Sequence, residues 1–76
     1  MQDLHGKIRP GFAVLDENGI LVGAVGSVAR ESFQLLRPLG SPVWLFGVAI
    51  EGVEGTEIQL RCGEASWTPF VRPAGA

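Results

Sequence analysis

Apolar and polar positions alternate along this 76-residue chain in short runs, and the clearest pattern is a reversal between Phe12 and Val28. Phe12-Ala13-Val14-Leu15 and Ile20-Leu21-Val22 flank Asp16-Glu17-Asn18-Gly19, a pairing of β-rich runs with turn residues that predicts a hairpin. Asp first and Gly last suit a type I turn closed by a bulge; a two-residue Asn18-Gly19 turn is the alternative. The second strand is expected from residue 20 to about residue 29, and within it Val22, Val25 and Val28 recur every three residues. A regular strand changes face at every residue, so this spacing predicts bulges or sharp bends beside Gly23 and Gly26 that let a long strand curl around a core.

A third strand is expected over residues 32–37, with Phe33 and Leu35 on one face and Gln34 and Leu36 on the other. Pro38-Leu39-Gly40-Ser41-Pro42 punctuates it, and residues 43–46 read as a fourth strand. Ala49, Ile50 and Val53 sit at helical spacing, which predicts one turn of helix before the turn at Glu54-Gly55. The fifth strand, residues 57–62, places Ile58, Leu60 and Cys62 inward and Glu57, Gln59 and Arg61 outward. The sum is an all-β fold: a small, partly open β-barrel of five to six strands in a meander with one short helical turn. Residues 1–7 form a polar lead-in, 8–62 the barrel and 63–76 a tail whose Pro69, Pro73 and glycines prevent a long regular element.

Composition sharpens the picture where it is unbalanced. Hydrophobic residues make up 46% of the chain and charged ones only 18%, so a domain this small must expose apolar side chains or have them covered by a partner. Lys7, Arg9, Arg30, Arg37, Arg61 and Arg72 are scattered, and the net charge is −2. No basic stripe of the kind that phosphate backbones require is formed, so no nucleic-acid partner is expected. Cys62 is the single cysteine, which excludes an intramolecular disulfide and makes a reducing cytoplasm the expected location; no secretory start is visible. Gly, Ser, Arg or Glu interrupts every apolar run well short of the roughly 20 residues that span a bilayer as a helix, so no transmembrane segment is expected.

The series Gly11-x-x-Val14-x-Asp16-x-x-Gly19-x-x-Val22-Gly23-x-Val25, then Phe33-x-Leu35, Val43-Trp44-Leu45, Ile50-x-x-Val53 and Ile58-x-Leu60, resembles the PRC-barrel family. It covers roughly residues 8–62 and consists of turn and core positions. Phe46 departs from it, standing where the family often has proline. The family's small, partly open β-barrel occurs in the photosynthetic reaction centre H subunit, at the C-terminal end of a ribosome maturation factor and as free-standing small bacterial proteins. The resemblance implies a docking module without chemistry: a protein-interaction or assembly module, or alternatively a ribosome-assembly accessory that binds a ribosomal protein through the barrel.

The residues themselves offer little chemistry. His5 is the only histidine and lies in the lead-in, where a mobile surface position is expected. Cys62 continues the inward alternation of its strand and reads as a small buried hydrophobe rather than a nucleophile. Asp16, Glu17, Glu51, Glu54 and Glu57 lack the ligand spacing of a calcium loop and read as turn and surface residues. Gly19, Gly23 and Gly26 do not form a dinucleotide fingerprint, so no cofactor or metal is expected. The aromatic residues Trp44, Phe46, Trp67 and Phe70 are the candidate interface. With Leu45 inward, Trp44 and Phe46 point outward, and two placements of the tail remain open: folded back to cover Trp44 on its own barrel, or covering another subunit. Self-association as a homo-oligomer is the expectation.

Overall fold

A computed structural model describes residues 3–72. Six strands form one sheet: β1 (Ala13–Leu15), β2 (Leu21–Val28), β3 (Ser32–Leu36), β4 (Val43–Phe46), β5 (Ile50–Glu54) and β6 (Glu57–Leu60), in the order β4-β3-β2-β1-β6-β5. The helical elements described are 3-10 turns of three residues each, so the chain is an all-β half-barrel as expected.

The first hairpin shows how the sequence sets its geometry. The Asp16 carbonyl accepts from the Gly19 N–H (3.0 Å), the Asp16 N–H donates to the Ile20 carbonyl (2.9 Å), and Gly19 alone in the turn has positive φ, at 79°. This is a type I turn closed by a bulge; the Asn18-Gly19 alternative needs positive φ at Asn18 and is excluded. Further along, Val14 pairs with Gly23 but Leu15 with Leu21, and Val25 pairs with Leu35 but Val28 with Phe33. Each shift inserts one extra residue into β2, at the two slips the three-residue spacing of valines predicts.

Two expectations need correction. The meander holds for β1 to β4, whose neighbours are antiparallel, but β6 lies parallel to β1 and β5 lies outside β6. After β4 the 3-10 turn Gly47–Ala49 carries the chain across the barrel end, so the β5–β6 hairpin joins the free side of β1 instead of extending β4. The helical turn lies at residues 47–49, and residues 50–54 are a strand. Ile50 pairs with Leu60, Gly52 with Gln59 and Val53 with Ile58, so a bulge at Glu51 produces the three-residue spacing that imitates a helix.

The core consists of Val14, Val25, Phe33, Leu35, Leu45, Ile58 and Leu60, closed at its ends by Leu4, Ile8, Ala49 and Trp67. The lead-in is therefore docked rather than mobile: the Leu4 N–H donates to the Arg30 carbonyl (2.9 Å) and its side chain enters the core. The tail folds back on its own barrel. Trp67 is 3% exposed and its indole Nε1 donates to the Cys62 carbonyl (3.1 Å). Val71 then bridges antiparallel to Leu45 along the outer edge of β4. Pro73, assigned to the tail above, lies outside the described residues.

Candidate interaction surface

Leu45 points into the core, so Trp44 and Phe46 face outward, paired across β3 with Gln34 and Ser32. Neither stands free. The Arg72 guanidinium lies 4.2 Å from the Trp44 ring centroid, its Nη1 donates to the Ser32 hydroxyl (3.1 Å), and the Arg72 backbone N–H donates to the Trp44 carbonyl (2.8 Å). This is a cation–π cover supplied by the tail. Phe46 is half-buried beside Leu4, Gly47 and Ile50 at a depression of about 470 Å³, Phe70 is half-buried against the core, and Trp67 lies within it. The four aromatic residues thus sit along the seam between the barrel and its own two ends.

His5, Cys62 and Asp16 each hydrogen-bond to backbone. The His5 ring stands between the Asp3 carboxylate (Nδ1, 2.7 Å) and the Val28 carbonyl, to which Nε2 donates (3.0 Å). Asp3 is held below its ordinary carboxylate pKa, chiefly because the His5 backbone N–H donates to it. Strand β6 ends at Leu60, two residues before Cys62, whose half-buried thiol donates to the Ser66 carbonyl (3.5 Å). The Asp16 carboxylate accepts from the N–H groups of Asn18 (2.8 Å) and Ile20 (3.0 Å), the turn-building role its residue type implies. Glu17 is exposed, Glu51 pairs with Arg61 (2.9 Å), and Glu54 faces Glu57 across the last hairpin. Among the described residues no group of three or more His, Cys, Asp or Glu side chains is gathered to hold a metal ion.

Val48 is exposed beside Phe46, and a second group of exposed apolar side chains lies on the outer side of the first three strands. Ala13 pairs with Ala24 and Ala24 with Leu36, which sets these three side chains in a row on the outer face of β1, β2 and β3. The two alanines keep that row flat beside Leu36, which is 42% exposed; Leu21, 62% exposed, and Pro38 border it, and Leu39, 88% exposed, shares a neighbouring depression with both. A shallow depression of about 420 Å³ is lined by Ala13, Leu21, Ala24, Leu36 and Pro38. Arg37 is the charged neighbour, and its guanidinium is tied to the Ser41 carbonyl and to Glu64 (2.6 Å). The surface presented is therefore neutral. The alternation of residues 32–37 already sets Leu36 outward, but nothing in the sequence shows that Leu21 and Leu39 join it.

Fold and surface together define a class: a small all-β half-barrel with a neutral, apolar outer face. Among the described residues no helix is long and apolar enough to cross a membrane. No family model, curated protein or solved structure matches the chain.

Proposed function

We propose that the chain is a non-enzymatic protein-interaction module of PRC-barrel type that self-associates through the outer face formed by Leu21, Leu36 and Leu39. The observation that carries this reading is that exposed Leu21 lines one depression with Leu36 on the outer sheet face and a neighbouring one with Leu39 of the following loop, where the charged Arg37 and Glu64 pair with each other. A neutral apolar patch is complementary to itself, which a two-fold contact between identical copies requires. Burying each of these side chains contributes about 1.5–3 kcal/mol, so several acting together reach the cost of association, of order 4–15 kcal/mol. In the cytoplasm the lone Cys62 stays a free thiol.

The test is molar mass by light scattering at micromolar concentration. The wild-type chain is expected to be a dimer, and Leu36→Lys with Leu39→Ser a monomer of unchanged melting temperature. A wild-type monomer, or a double variant that stays dimeric, contradicts the reading.

A further inference from the structure

The two edges of the sheet are finished differently. Along β4 the tail supplies a partner, through the Val71–Leu45 bridge and the Arg72 N–H on the Trp44 carbonyl. Along β5, the Ile50 N–H donates to the Gly47 carbonyl, and no backbone hydrogen bond among the described residues joins residues 51–54 to anything but β6. Glu54 and Glu57 close a two-residue turn in which Gly55 has φ 60°, the first central position of a type II′ turn. The closing pair of such a hairpin exchanges both hydrogen bonds, so the next pair, Val53 with Ile58, is the non-bonded one. Val53 therefore directs its N–H and C=O away from β6, into the open.

The side chains around this edge have their own pattern. Val53 shares a face with the buried Ile58, yet it is 40% exposed because nothing lies beyond the edge. A groove of about 530 Å³ runs between β5 and the lead-in, with Leu4, Ile8, Ile50 and Val53 as its apolar walls and Lys7 on its rim beside the Glu51–Arg61 pair. At the hairpin end Glu54 and Glu57 stand directly opposite each other, and neither has an ion-pair partner among the described residues. Like charges facing across a strand pair are unfavourable, so a cation brought to that end relieves a cost the fold already carries.

We propose that β5 is an acceptor edge for an extended segment of another protein in which apolar side chains alternate with Lys or Arg. The segment adds as a further strand through the free N–H and C=O of Val53. Its apolar side chains cover Ile50 and Val53, and its basic side chains meet Glu54 and Glu57. A second copy of β5 would instead bring more carboxylates to an edge that already holds unpaired ones, and charge of this kind blocks self-pairing. The inference rests on the reading of the chain as an interaction module but uses a surface separate from Leu21, Leu36 and Leu39.

Fluorescence anisotropy of labelled short peptides with the full chain tests it, one peptide alternating valine with lysine and the other valine with glutamate. The lysine peptide is expected to bind at least about tenfold more tightly at low salt. Glu54→Lys with Glu57→Lys should invert the preference, and Val53→Pro should weaken both peptides by removing the outward donor. The Leu36→Lys with Leu39→Ser variant should bind as wild type does, which separates this edge from the self-association face. No binding, equal binding of the two peptides, a preference that survives charge reversal, or full binding by Val53→Pro overturns the proposal.

Discussion

A Cβ added at Gly23 would press on the Leu36 carbonyl oxygen and stand 2.9 Å from Leu35 Cδ1, so the strand above it must shift. At Gly26 the corresponding atoms are Gln34 Oε1 at 2.6 Å and Leu36 Cγ at 3.0 Å, both in side chains with room to rotate. Gly23→Ala is therefore expected to cost about 1–3 kcal/mol and Gly26→Ala distinctly less, read from thermal melting; equal losses would contradict this account. The spacing of Val22, Val25 and Val28 made both slips legible in the sequence. That Gly23 is required by the closeness of β3 was not, because the contact depends on which strand packs beside it. Trp67 is the converse case, an aromatic in a proline-broken tail that ends up inside the core. Trp67→Ala should cost about 3–5 kcal/mol in denaturant unfolding, and a loss below about 1 kcal/mol would mean the tail does not plug the barrel.

At the scale of elements, strands with clean alternation were readable and irregular ones were not. β3 and β4 fall where their side-chain patterns place them, whereas the bulge at Glu51 gave β5 the periodicity of a helix. The parallel pairing of β6 with β1 was illegible for another reason: a long-range pairing leaves no local pattern in either strand. The lead-in illustrates the limit of polarity as a signal, since one leucine among polar neighbours is enough to dock it. Its 3-10 turn begins at Asp3, whose carboxylate caps the His5 N–H (2.9 Å). The folded-state pKa of Asp3 lies below its ordinary value of 3.8. The cap is thus fully held above that value and is lost as the pH falls through the lower, folded-state value. The His5 amide resonance should report this as an acid transition with a midpoint below 3.8, absent in Asp3→Asn. A midpoint at or above that value would contradict the capping role.

For the whole molecule, the excess of apolar over charged residues is accounted for only in part by the core. The segments before β1 and after β6 close the barrel, one through Leu4 and one through Trp67, and aliphatic side chains still remain outside. The composition announced that surplus; that part of it lies on the outer face of β1 to β3, and not only at the aromatic seam, follows from registers that the sequence does not display. An interface of this kind should be insensitive to salt, because no charge pairing holds it together. The most direct measurement is amide hydrogen exchange followed as the protein concentration is raised from nanomolar to high micromolar. Slower exchange confined to residues 20–24 and 35–39 is the predicted result. Exchange independent of concentration, or protection appearing instead along residues 43–46, would contradict it.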